Sequence, residues 1–193
     1  MNKIKFLIIV IAIGASFNGF AQQKVFGKSF QFHSINNVGL IEGEAGSAFQ
    51  LQTINGFKHQ SWFAGIGVGL DFYRLRSIPL FVDIRKEFGR TSNKFFVFAD
   101  AGANFYWERD KDLKQFPIDD RFKPGFYTEI GAGYKIKLSS KLSLLFSGSY
   151  SFKKLTETGK DYTFSTMDFM QTTESEKINY GLNRIVIKAG IEF

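Results

Sequence analysis

Along much of the chain apolar and polar side chains alternate one by one. Successive side chains of an extended strand point to opposite faces, so this pattern predicts strands whose two sides meet different surroundings. In "SWFAGIGVGLDFYR" (residues 61–74), Trp62, Ala64, Ile66, Val68, Leu70 and Phe72 share one face, while Phe63, Gly65, Gly67, Gly69, Asp71 and Tyr73 share the other. The same period of two recurs over residues 77–88, 95–107, 126–138, 142–153 and 181–193. Two weaker segments join them: 47–57, and 30–41, whose patchy pattern suggests a bulge. The count is then eight, an even number, as single-chain bacterial barrels have.

The connections carry a second pattern. Those at 108–124 and 156–178 are long, whereas the turn at 139–141 between them is minimal. Outer-membrane barrels have short periplasmic turns and longer extracellular loops, so both termini are expected on the periplasmic side. A soluble sandwich has no reason to sort its loops this way.

Composition then narrows the compartment. Lys3 and Lys5 precede the apolar run "FLIIVIAIGA", and Gly19-Phe20-Ala21 offers a small-x-small cleavage site, which together read as a secretory signal peptide over residues 1–21. The run is too short for a spanning helix, which needs about 20 apolar residues. Residues 22–193 are left as one barrel domain. Losing two lysines takes the balance from 25 Lys+Arg to 23 against 18 Asp+Glu, and the bases are dispersed among acids, so no nucleic-acid partner is expected. There is no cysteine to staple the fold or carry a lipid, and stability must come from the sheet itself.

Which face meets lipid follows from the aromatic and charged residues. Trp62, Phe88, Phe95 and Phe193 fall at one set of strand ends, and Phe72, Phe105, Trp107, Phe126 and Phe152 at the other, like two interfacial girdles. The opposite face carries Asp71, Asp83, Glu87, Asp100, Glu129 and Glu192 against Arg85, Lys135, Lys137, Lys153, Arg184 and Lys188. The lumen of an eight-stranded barrel is just wide enough for side chains to fill, and charges there must be paired. The expected architecture is therefore an all-β, eight-stranded antiparallel up-and-down transmembrane β-barrel. Its apolar stripe faces lipid, and Gly65, Gly67 and Gly69 leave room inside for long partners.

On "AGIGVGLDFY", "IPLFVDIR", "FFVFADAGANF", "GAGYKI" and the closing "AGIEF", the chain resembles the small outer-membrane β-barrel proteins of Gram-negative bacteria, the porin-family barrels of the OmpX and OmpA membrane-domain kind. The resemblance spans the mature chain. It implies an outer-membrane location and a C-terminal insertion signal, Gly190, Ile191, Glu192 and Phe193, read by the barrel-assembly machinery. No peptidoglycan-binding domain is expected to follow.

Candidate chemistry is sparse. The two histidines are His33 and His59. "FHSINN" (residues 32–37) resembles the His-Ser-Asn motif of outer-membrane lipid A deacylases, but Ile35 interrupts it and adjacent His33 and Ser34 point oppositely, so no catalytic site is expected. No cofactor or metal site is expected either: "GIGVG" opens no helix, and Asp119 and Asp120 sit beside Arg121 and Lys123 in a solvated loop. Tyr162, Phe164, Met167, Phe169 and Met170 give the last loop an apolar strip of the kind that marks an interaction surface. The expected function is a side-chain-filled barrel displaying loops for structural, adhesion or binding roles toward an extracellular partner. A narrow passive pore is the alternative, and a lipid A-modifying outer-membrane enzyme ranks behind it.

Overall fold

The computed structural model describes residues 30–107, 121–163 and 172–193. The expected signal peptide lies outside them, as do Asp119, Asp120, Phe164, Met167, Phe169 and Met170. Nine strands form in chain order: β1 (Phe30–Gly43), β2 (Gly46–His59), β3 (Trp62–Asp71), β4 (Ser77–Phe88), β5 (Lys94–Tyr106), β6 (Arg121–Lys123), β7 (Gly125–Lys137), β8 (Ser143–Thr163) and β9 (Thr172–Glu192). Each pairs antiparallel with its chain neighbour, except that β5 skips to β7 and β6 lies on β8. β9 then returns to β1, from Arg184 to Glu192, so the barrel wall closes. The seam ends on Phe193, whose N–H donates to Ser34 O at 3.0 Å while Ser34 N–H donates to Phe193 O at 2.7 Å.

Three-residue β6 is an outer continuation of β7. Lys123 pairs with Thr156, and Tyr127 with Lys153, so four steps on one strand oppose three on the other, as in a bulge. Pro124, which has no N–H to give, stands in the break. At the neighbouring Gly125 a β-carbon would run into the Lys154 carbonyl oxygen, so only glycine fits. The barrel proper therefore has eight staves.

Three sequence expectations need correction. β1 carries no bulge: it runs in one register against β2 from Phe30↔His59 to Gly43↔Gly46, and in one register against β9. Its pattern looks patchy because both faces mix apolar and polar residues, and only its partners fix it as a strand. The expected loop 156–178 is largely a two-stranded ribbon, with β8 and β9 paired out to Thr163↔Thr172. The loop 108–124 likewise yields β6. Beyond an apolar medium both faces of a ribbon meet water, and the period-two signal that reveals a strand disappears.

Side-chain burial follows the expected faces. On β3, Trp62, Ala64 and Ile66 point out, while Phe63, Gly67, Gly69 and Asp71 are buried inside. Phe30, Phe32, Phe57, Trp62, Phe88, Phe95 and Phe193 are exposed around the end that holds the termini, and Phe49, Phe105 and Phe126 toward the other. Lys86 points out at the first of these rims, its ammonium 4.2 Å from the centre of the Trp62 ring.

Candidate functional site

Alternation along the strands aims one row of side chains from each stave into the lumen, where they meet residues far away in sequence. The structure places eleven of the twelve expected interior charges there, all buried: Asp71, Asp83, Arg85, Glu87, Asp100, Glu129, Lys135, Lys153, Arg184, Lys188 and Glu192. Lys137, the last residue of β7, is exposed at the rim and is not part of the interior. It sits at the strand's last paired position, opposite Ser143, where the lumen opens to solvent.

The charges stack in three tiers. At the end away from the termini, Arg184 Nη1 bonds Asp71 Oδ2, its Nη2 donates to Ser151 Oγ at 2.7 Å, and Lys153 Nζ lies 3.3 Å from the same Asp71 oxygen. Lys153 also donates to Ser77 Oγ at 3.0 Å and to Tyr73 O at 3.2 Å. In the middle, Glu129 pairs with Lys188 and accepts from Tyr127 OH at 2.6 Å and Ser149 Oγ at 2.5 Å. Gln52 bridges this group, accepting from Lys188 Nζ at 3.2 Å and donating to Tyr127 OH at 3.1 Å. Beside it Arg85 holds both oxygens of Asp83 through Nε at 2.9 Å.

At the termini end Lys135 bridges Glu192 at 2.5 Å and Glu87 at 3.1 Å. Glu87 is also held by Lys58 and, at 3.0 Å, by Lys94, while His33 Nδ1 lies 2.9 Å from Glu192. Buried carboxylates with this many charge-assisted partners meet the pairing requirement of a dry interior.

Asp100 is the exception. It is 2 % exposed, no base is paired to either carboxyl oxygen, and it stands directly opposite Asp83, close enough for a carboxyl–carboxyl hydrogen bond, on one side and Glu129 on the other. It therefore lies in the interior without joining the pairing there.

Sequence reasoning missed two features. Lys58, Lys94 and His33 join the lower tier although two of them stand near strand ends, where face parity is a weak guide. More consequential is an apolar plug between the tiers. Ile35, Ile54, Phe63, Phe81, Phe96, Phe98, Tyr127 and Leu145 form one buried cluster, and Ile41, Tyr73, Leu182 and Val186 a second nearer the far end. The lumen glycines serve these rings: a β-carbon at Gly67 would strike the Phe81 ring, one at Gly131 would approach Phe98 within 2.7 Å, and one at Gly133 would meet Phe96 at 2.5 Å. Room left by Gly67, Gly131 and Gly133 is thus taken by phenylalanine, whereas Gly39 makes way for the long side chains of Lys188 and Gln50, and Gly69 for Gln52 and Pro79.

The rings and cations interleave, with Lys188 Nζ 4.5 Å from the Phe98 centroid and the Arg85 guanidinium 5.1 Å from it. A recess bordered by Arg85, Glu87, Lys135 and Glu192 measures about 10 Å3, room for at most one water molecule. His33 and Ser34 face opposite sides: the imidazole approaches Glu192, while Ser34 is covered at the seam against Phe193. Among the described residues no group of three or more His, Cys, Asp or Glu is placed to hold a metal ion.

A closed antiparallel barrel, apolar outside and filled with ion pairs and rings inside, has the architecture of the small outer-membrane β-barrels. Solved structures of that class share its fold. Neisserial surface protein A superposes with a TM-score of 0.52 at 10% identity, covering 84% of this chain and 95% of that one. The outer-membrane protein AlkL, determined in lipid bilayers, gives 0.51 at 12%, covering 89% and 92%. The N-terminal β-barrel domain of Pseudomonas aeruginosa OprF gives 0.50 at 12%, covering 84% and 97%. The sequence itself matches no family profile and no curated protein.

Proposed function

We propose that this chain is an exported, integral outer-membrane protein of the porin-family, OmpX-like kind, whose closed barrel anchors a projecting ribbon and loops for structural, adhesion or binding contacts outside the cell. The observation that carries this reading is the plug: Phe63, Phe81, Phe96 and Phe98 fill the lumen between the charge tiers, and Arg184, spanning toward Asp71, is 1% exposed. Ions crossing such an interior would have to displace packed rings and break paired charges. In this reading the barrel has no catalytic role, its direct neighbours are outer-membrane lipids, and an extracellular partner meets the outer ends of β8 and β9.

Gly190, Ile191, Glu192 and Phe193 serve in this reading as the signal for the barrel-assembly machinery. Its support is that they form the strand that closes the seam, with Phe193 paired to Ser34. The test of the whole is planar-bilayer conductance of the purified chain. A silent bilayer is expected; steady ion-sized steps would establish the narrow pore instead.

A further inference from the structure

Among the described residues the outward surface between the two girdles is apolar around nearly the whole circumference, and the one marked interruption lies on β1 and β2. Asn36 and Asn55 both point outward and are exposed; Asn36 pairs with Thr53, and Asn55 with Ser34. Their flanking neighbours are apolar: Asn55 is followed around the barrel by Ile66 on β3, and Asn36 by Ile191 on β9. The asparagines are not rim residues. Phe32 and Phe57, paired with each other, mark the girdle. Asn36 is four residues farther along, about 10 Å inside it, and Asn55 two residues, about 5 Å inside it, for strands tilted about 40°.

Neither carboxamide makes a side-chain hydrogen bond with any described residue. Acyl chains supply no hydrogen-bonding group at that depth, so unpartnered amides are strongly disfavoured there. A protein surface can satisfy them. The two asparagines sit on a cross-strand diagonal, close enough for one partner surface to engage both. A carboxamide donates and accepts at once, so a patch of two amides is complementary to a copy of itself.

From this we propose that the β1–β2 face is a homodimer interface, formed about a two-fold axis parallel to the barrel axis. That axis keeps the termini of both copies on the same side, as two copies inserted in the same direction require, and it lets the same patch serve both subunits. The asparagines hydrogen-bond across the axis, and Val38 and Ile66 pack beside them.

The chain contains no cysteine, so single reporters are unambiguous. The purified chain is reconstituted alone in phosphatidylcholine vesicles at low density, and association is read by energy transfer between donor and acceptor dyes on Lys141→Cys, in the exposed turn between β7 and β8. Transfer above that of randomly dispersed chains is expected, and Asn36→Leu with Asn55→Leu should weaken association about tenfold or more. Both leucines are apolar on the lipid side, so heat-modifiable migration should be kept. Oxidative crosslinking then locates the contact: Val38→Cys should yield dimers, and Ile130→Cys, across the barrel on β7, should not. Transfer at the random level overturns the proposal, as does transfer or crosslinking that survives the double leucine change. Capture of a different protein through Val38→Cys in cells, without self-association in pure vesicles, would assign the patch to another partner and overturn it equally.

Discussion

A charge placed on the outward face tests the inside-out arrangement most directly. Ile66, at 64 % exposure, lies on β3 between Trp62 and Phe72. These two aromatics are ten residues apart, which at about 3.4 Å per residue and about 40° of tilt separates them by about 26 Å along the axis, close to the apolar band of about 25 Å. Ile66 is then about 10 Å from the nearer girdle, farther than an arginine side chain can snorkel without distorting the bilayer. Ile66→Arg is expected to cost about 2–4 kcal/mol in lipid vesicles. Lys86 supplies the reference, since a base already stands outward there beside the Trp62 ring, and Lys86→Arg should change stability by less than about 0.5 kcal/mol. Equilibrium urea unfolding in vesicles, followed by tryptophan fluorescence and by heat-modifiable migration, measures both. A cost below about 0.5 kcal/mol for Ile66→Arg would mean that this face is solvated, because ordinary surface substitutions fall within that range. The reading of the apolar stripe as lipid-facing would then be wrong.

Three interior changes probe the packing by the same unfolding measurement. Arg184→Met leaves Asp71 with Lys153 at 3.3 Å as its one remaining cation beside the Tyr73 N–H, and takes from Ser151 the donor to its Oγ, and should cost about 3–5 kcal/mol; adding Asp71→Asn should recover part of it. Asp100→Asn replaces a carboxyl that no base pairs and that has two carboxylates directly opposite, so stability should rise by up to about 1 kcal/mol, and a clear loss would show that the carboxyl is needed. Gly67→Ala should cost about 1–3 kcal/mol by driving its methyl into Phe81, and should cost much less in a Phe81→Ala background, whereas equal costs in both backgrounds would deny the contact.

Alternation alone determined the strands of the barrel wall other than β1, their inward and outward faces and most of the buried charges. Each of those facts is set by the medium a single residue meets, and lipid outside against a packed lumen stamps period two on the chain. The pattern failed where the medium stops imposing it. Residues 157–163 and 172–178 pair as a ribbon outside the apolar band, and nothing in "TETGKDYT" records that. Lys137 kept the parity of its strand but had already reached the rim. Tertiary structure decided what meets what. Arg184 reaches an aspartate 113 residues away, Lys188 a glutamine 136 residues away, and Asp100 meets another carboxyl instead of a base although it lies among charges. Those outcomes depend on closure and register around the whole ring. A strand's own sequence says which side of the wall a residue faces, but the distances across a closed lumen exist only once β9 has met β1.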